Sequence, residues 1–531
     1  MRCSDVYYGC KRKKYLHISG ITEAYMKFRY IFAFLLAGAF LFLFSSSASA
    51  ETVVCKVAGK DYSSLTQAVK DVMSGAVSGE IVMLTDAELD VGTISAPVSI
   101  SGGGYKVTFP AQSGTEDGRL DVHSTLSFSD TEVFFANPKT WSVVLGGSGV
   151  ISLSGGSSCA FEKTGVYSLA GGEIGLDASQ LTMKNMEYTA MMAEAYGKLS
   201  LKNGSVFAVS HLMDINGITG FDIGVDNSRF SVTECRKQGL VKCSLSLTNG
   251  ASADISRNGI GYNMYSKNIA DIGGNSTLTM DGNGSMALLI QGSGSFTVRS
   301  DGHFFCRNNG LALSGSDLAA PENAAVNIGY FSSGRIYKNG GFTVYDNAEA
   351  VISGNHSRGI VNCGTAALGR GTLVAGNGIP AEKGGEDAGV PTGGGIYNLN
   401  NLSVSEGAYI NNNHALVSAD DICNAGGASV VLAHTGGQLR LDPGMGGNNC
   451  GDSISGWYED NEGQRWNAHG ENIFTVPVSP AEYSVPLALK AAHGVIPKTG
   501  DEAPLRFGAL LLSSAALLSL VYMTFKLRRS K

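Results

Sequence analysis

The chain has 531 residues, with 39 Lys+Arg against 46 Asp+Glu, for a net charge of −7. Glycine accounts for 71 positions and charged residues for only 16%, against a usual ~25%. This turn-rich, weakly charged profile disfavours helical bundles and coiled coils, while 43% apolar residues argue against a disordered polymer. An acidic chain also lacks the positive field that nucleic-acid binding needs.

Lys27 and Arg29 precede an uncharged run from Ile31 to Phe44, followed by a Ser/Ala stretch ending Ala48-Ser49-Ala50, then Glu51. A basic head, an apolar middle and small residues two apart predict a secretory signal over 1–50, cleaved between Ala50 and Glu51, with Met26 as an alternative start. The apolar run, at ~1.5 Å per residue, is too short for a ~30 Å hydrocarbon core. Trimming the chain to 51–499 leaves 27 basic and 42 acidic residues. The exported portion is therefore distinctly acidic and should repel polyanions.

Residues 51–110 read as a cap and first coils. Ser64-Leu65-Thr66-Gln67 has the spacing of a helix start, and Leu65, Ala68, Val69 and Val72 fall on one helical face. Strands then follow at Ile81 to Leu84 and at Val98 to Ser101.

Over 111–450 a short unit of apolar, Ser/Thr, apolar recurs, as in Leu181-Thr182-Met183, Leu199-Ser200-Leu201, Leu245-Ser246-Leu247, Leu278-Thr279-Met280, Phe296-Thr297-Val298, Phe342-Thr343-Val344 and Leu402-Ser403-Val404. Turn formers follow most copies: Asn203-Gly204, Asn249-Gly250, Asp346-Asn347, Glu406-Gly407. Alternation ending in a turn is a half-buried strand. The spacings suggest a coil of about 18 to 23 residues and about 16 coils, a rod on the order of 75 Å at ~4.8 Å per coil. A second unit, apolar-x-x-Asn, ends at Asn258, Asn308, Asn339, Asn355, Asn377 and Asn413. Asn tolerates left-handed backbone and can bond along a stack of its own kind, so the recurrence predicts an inward Asn ladder. Strands this short bury an apolar face by stacking coil on coil, although a β-sandwich array remains a competitor on the residues alone.

Gly393-Gly394-Gly395-Ile396 and Phe305-Cys306-Arg307-Asn308 resemble the Gly-Gly-x-Ile and Phe-x-x-Asn repeats of polymorphic membrane proteins and related adhesin-like surface proteins, over roughly 240–430. That resemblance implies an all-β chain wound as a right-handed parallel β-helix. The short helix feeding the first strands is similar to the N-terminal cap of pectin-lyase-like β-helices. The aromatic stretch from Trp457 to Trp466, within 451–474, is expected to close the other end, and 475–495 to act as a linker.

The last segment, 496–531, reads Ile496-Pro497-Lys498-Thr499-Gly500, an apolar span over 507–525 and a basic tail ending at Lys531. Nineteen apolar residues just suffice to cross a bilayer as a transmembrane helix, and the terminal cations stay on the cytoplasmic side. The order resembles the Leu-Pro-x-Thr-Gly sorting signal of Gram-positive surface proteins, with Ile496 in place of the commoner Leu. The resemblance implies that a sortase thiolate cleaves after Thr499 and joins its carbonyl to peptidoglycan.

Chemistry is sparsely written. Asp420-Asp421 is the most tempting carboxylate pair, since two adjacent acids could supply an acid and a base, yet strand neighbours point to opposite faces, and Ala-Asp-Asp-Ile resembles a structural variant of adhesin-like repeats. His303 and Arg335 loosely resemble pieces of polygalacturonase motifs but precede the acid pair. Asp281, Asp301 and Asp346 sit near turns. No metal site, cofactor loop or close His/Cys cluster is expected. Cys235 and Cys243 either close a small disulfide loop or are buried thiols in separate coils. These readings together lead to an expected wall-anchored, non-catalytic adhesin-like or stalk protein, whose partners are a sortase, peptidoglycan and a surface ligand. A wall-attached polysaccharide lyase or glycoside hydrolase on the same scaffold is the alternative.

Overall fold

Alternation does build strands: Leu245-Ser246-Leu247 lies within Ser244–Thr248, where both leucines are buried and the serine is exposed. Such strands stack in parallel, turn upon turn, in a computed structural model. It describes residues 52–454 apart from 111–118, 136–140, 170, 213–214, 314–316, 318–319, 321, 330–335, 379–388, 406–407, 412, 417–420, 426–427, 435–436 and 442–452. The architecture below is that of the compact unit beginning at Val54. The signal peptide with Ala48, Ala50 and Glu51, the aromatic exit Trp457 to Trp466, the linker, the sorting pentapeptide Ile496, Pro497, Lys498, Thr499 and Gly500, and the span 507–525 lie outside the described residues.

The described chain is nearly all β and forms a right-handed parallel β-solenoid. Each turn contributes a strand to a first, a second and a third face. The second face alone is a 13-stranded parallel sheet, which corresponds to about 12 turns. The other two faces merge into one 29-stranded sheet, because Met191–Lys202 and Ile218–Asp226 run unbroken round their shared corner. At ~4.8 Å per turn the column is on the order of 60 Å, shorter than the 16 coils expected.

The length of a turn also differs from expectation, for an instructive reason. On the first face Leu199 pairs with Ile223, and Ile223 with Leu245, so a turn takes 24 and then 22 residues. The apparent 18-residue step from Leu181 to Leu199 joins two faces: Leu181 belongs to the second-face strand Gln180–Lys184, and Leu199 to the first. The same sequence pattern serves two faces, and reading it as one mixed their intervals. Two turns carry insertions, since Phe296 pairs with Phe342 and Ala366 with Leu402.

Apolar residues fill the inside of all three faces as one continuous core. Phe109, Phe135 and Phe161 stack ring on ring at 4.5 and 4.4 Å, and Phe296 on Phe342 at 5.4 Å, a contact type worth about 0.5–1.5 kcal/mol beyond the buried area. Between the first and second faces the chain turns through left-handed residues, Asn203 and Gly204 at φ 55° and 79°, Asn249 and Gly250 at 56° and 77°. Asn and Gly occupy these positions because other side chains adopt that backbone at a cost. The buried serines behind these turns form a ladder that escaped the sequence reading: Ser179 N–H donates to Ser205 Oγ and Ser205 N–H to Ser228 Oγ, at 3.2 and 3.1 Å.

The amino-terminal end is closed by a helix. The helix α1, Leu65–Met73, starts at Ser64, whose hydroxyl accepts from Gln67 N–H at 3.3 Å, and it buries Leu65, Ala68 and Val69 against the first strands. At the far end the parallel pattern stops: Ser429–His434 pairs antiparallel with Gly437–Leu441, and Ile422–Asn424 with Ser453–Ile454.

Candidate functional site

The Asn ladder is real and carries the tempting acid with it. Asn258, Asn283, Asn309, Asn355, Asn377 and Asn413 are buried on successive turns. Each Oδ1 accepts from the preceding turn; each Nδ2 donates back to a backbone carbonyl of that preceding turn, and from Asn283 to Asn377 also forward to the next Asn Oδ1. For Asn309 the donors received are Asn283 N–H and Nδ2 at 3.0 and 2.8 Å. Asn309 donates its own Nδ2 to Met280 O at 3.1 Å and to Asn355 Oδ1 at 2.9 Å, and its N–H to the same oxygen at 2.9 Å.

Four of the six expected ladder positions hold. Asn308 and Asn339 are instead exposed, and Asn283 and Asn309 take the inward places. The frame is set by Phe304 and Cys306, which face inward and leave Phe305 outside. The repeat unit here is thus Cys306-x-x-Asn309, one residue later than Phe305-x-x-Asn308.

The donors of Asn413, the last amide, meet a carboxylate: Asp421 Oδ1 accepts from Asn413 N–H at 3.3 Å and from Nδ2 at 3.0 Å, with Asp421 1% exposed. A carboxylate only accepts, so it ends a chain of donors without leaving a new one unpaired. Asp420 and Arg335 lie outside the described residues. His303 Nδ1 lies 2.9 Å from Glu349 Oε2 on the next turn. Asp281 accepts from Asn308 Nδ2 at 3.0 Å and Asp346 from Arg370 N–H at 2.8 Å, while Asp301 sits in the turn before His303. Among the described residues no group of three His, Cys, Asp or Glu is placed to hold a metal ion.

The disulfide weighed between Cys235 and Cys243 is not formed: both are buried free thiols, as are Cys55, Cys159, Cys306, Cys363 and Cys423. The strand Gln238–Val241 separates the two, so they occupy successive corners of one turn. Burial pushes the thiols of Cys235 and Cys243 up to about 12 and that of Cys55 to about 11, from 9.0. A raised thiol stabilises the fold at pH below its unfolded value, and this contribution is lost as the pH rises through the folded value. Under reducing conditions the melting temperature should hold level up to about pH 8 and fall between about pH 9 and 12. Ellman's reagent should reach the seven described thiols only in denaturant; prompt labelling of Cys235 or Cys243 in the native protein would contradict their burial.

Aromatic side chains gather on the outside of the third face, Trp141 and Tyr167 half-buried and Tyr188 and Tyr196 exposed. Val144, Tyr167, Met192 and Thr219 pair in register there. Trp141 opens the strand Trp141–Leu145 and packs on Tyr167 with centroids 5.2 Å apart. Tyr188, Met192 and Tyr196 are exposed, Tyr196 by 52%. A ledge makes this possible. Between Met192 and Gly197 the chain spends four residues where the next turn spends only Gly220; Ala193 stays buried in register with Ser168, and Glu194 to Tyr196 bulge outward. Gly220 has φ 78°, and a Cβ there would meet Ala193 O at 2.6 Å, so glycine lets the next turn tuck beneath the bulge. Bulges re-aim side chains: here Tyr196 is held at φ 34°, a backbone costly for an aromatic residue, and Glu194 accepts a hydrogen bond from Tyr167 O–H. That carboxylate raises the Tyr167 phenol.

Farther along, the same face is covered by the chain's own insertions. Arg358, 1% exposed, donates from Nε to Thr392 O at 2.9 Å and from Nη1 to Ala320 O at 3.0 Å, and its guanidinium lies 5.5 Å from the Tyr397 ring. Ala324, Val361 and Cys363 form a second small core beside it. The sequence reading found neither the ledge nor this cover; the signal for the ledge is Trp141, Tyr167, Tyr188 and Tyr196 recurring in about 55 residues. Compared with protein families, curated proteins and solved structures, the chain has no match.

Proposed function

We propose that this is a secreted, cell-wall-anchored β-helical surface protein that displays a non-catalytic binding face, an adhesin-like stalk joined to peptidoglycan through Thr499 by a sortase. The observation that carries the non-catalytic part is the position of Asp421. Buried as the acceptor that ends the Asn ladder, it has its described hydrogen bonds directed inward and is removed from any substrate outside. Anchoring is supported by the sequence order of pentapeptide, apolar span and basic tail.

The rival, a polysaccharide lyase or glycosidase, separates by turnover. The purified exported chain, incubated with uronate-containing and neutral polysaccharides, is expected to release neither unsaturated products nor reducing ends. Release that disappears in Asp421→Asn, a change that keeps an acceptor for Asn413 and should keep the fold, would replace the adhesive reading with the enzymatic one.

A further inference from the structure

The gathered rings, the strained bulge and the charge of the chain converge on one class of ligand. Trp141, Tyr167 and Met192 succeed one another on three turns, and Tyr196 stands four residues past Met192 on the last of them, beyond Glu194, whose carboxylate meets the Tyr167 hydroxyl. The edges of this group are polar, with the Tyr167 hydroxyl and Glu194 bonded to each other on the outside. At its foot Thr219 Oγ1, on the residue paired with Met192, is buried with no hydrogen-bond partner in the protein. Exposed rings of this kind gain most by covering an apolar face that also carries hydroxyls at its rim. The ledge is also kept at a local cost, because Tyr196 is held left-handed while about half of it remains exposed.

Charge narrows the occupant. With 27 basic against 42 acidic residues in 51–499, a polyanion is repelled, and so is a second copy brought face to face. A globular partner needs roughly 800 Å² of matching surface, more than these four partly exposed side chains supply. A linear, uncharged chain of sugar rings meets each requirement: C–H faces for the aromatic rings, hydroxyls for Glu194, no net charge, and a small contact area.

We propose that the Tyr196 ledge is a platform for a neutral polysaccharide, with pyranose rings lying on Trp141, Tyr167 and Tyr196 and sugar hydroxyls donating to Glu194. This rests on the adhesive reading and supplies its ligand class.

The test uses the whole exported chain and soluble probes: mannan, amylose and an N-acetylglucosamine hexamer, with polygalacturonate as the anionic control. In affinity electrophoresis at least one neutral probe should retard the protein and polygalacturonate should not. Tyr196→Gly is the informative variant. It relieves the left-handed strain, so the melting temperature should stay level or rise, while binding weakens tenfold or more. Trp141→Ala should weaken it similarly, and Tyr345→Ala, an exposed ring elsewhere, should not. Two results overturn the platform. One is retardation that Tyr196→Gly and Trp141→Ala leave unchanged. The other is adhesion of the protein to cells that survives both variants and is abolished by protease treatment of the target; it leaves the adhesive reading standing and assigns the ligand to a protein at another face. Absence of binding to every probe and every cell surface would remove both readings together.

Discussion

Asn309→Leu is expected to lower the stability of the solenoid by about 3 kcal/mol or more, the largest effect of any single substitution on its core. The substitution removes the acceptor of Asn283 N–H and Nδ2 and the donor to Met280 O. Asn355 Oδ1 loses the bond donated by Asn309 Nδ2 and keeps the one from the backbone N–H of residue 309, which leucine retains. Each buried group left unpaired costs about 1–3 kcal/mol, and a leucine side chain has no polar atom to compensate. Because each turn touches only its neighbours, the damage should be local. Hydrogen exchange is expected to quicken around 280–310 and 352–356 and to stay slow around Val98–Ser101 and Thr125–Ser129. A urea midpoint shifted by the equivalent of less than about 1 kcal/mol would mean that the ladder adds little beyond shape.

Thr499→Ala is expected to empty the wall fraction, with the protein appearing instead in the membrane fraction or the medium, a change of tenfold or more. The reasoning is chemical. In the proposed reaction a thiolate attacks the Thr499 carbonyl, the Gly500 amine leaves, and a wall amine takes over the acyl group. In that proposal Pro497, with its φ fixed and helix disfavoured at its neighbour, would favour an extended presentation of the pentapeptide to the enzyme. The span over 507–525 keeps that bond close to the membrane while the enzyme acts. Wall attachment that survives Thr499→Ala, measured after muramidase release, would remove the sortase from the account and leave the tail as an ordinary anchor.

The two predictions probe different levels of the molecule. The proposed sorting signal is a local string of residues, so it can be read without knowing the fold. The ladder depends on stacking, and its members lie 22 to 46 residues apart along the chain. For the same reason a variant at Asp421 distinguishes the roles of that acid: asparagine keeps an acceptor for Asn413, whereas leucine leaves two buried donors without one.

The sequence by itself determined what is local. Alternation in Leu245-Ser246-Leu247 made a strand, Asn203-Gly204 made a turn that only such residues enter cheaply, Ser64 began α1, and the spacing of Ile352 and Asn355 announced an inward amide. These follow from short-range sterics and from the period of two along a strand. The tertiary structure decided everything that depends on which turn lies above which. Leu181 and Leu199 carry the same pattern on different faces, so the chain alone could not give the length of a turn. Whether Phe305 or Cys306 points inward was settled by pairing with Thr279 and Met280 on the turn before, and that choice moved the ladder from Asn308 to Asn309. Asp421 became a terminus, and Tyr196 an exposed ring, through contacts with residues far away in sequence. A side chain's face is fixed by register, and register is a property of neighbouring turns.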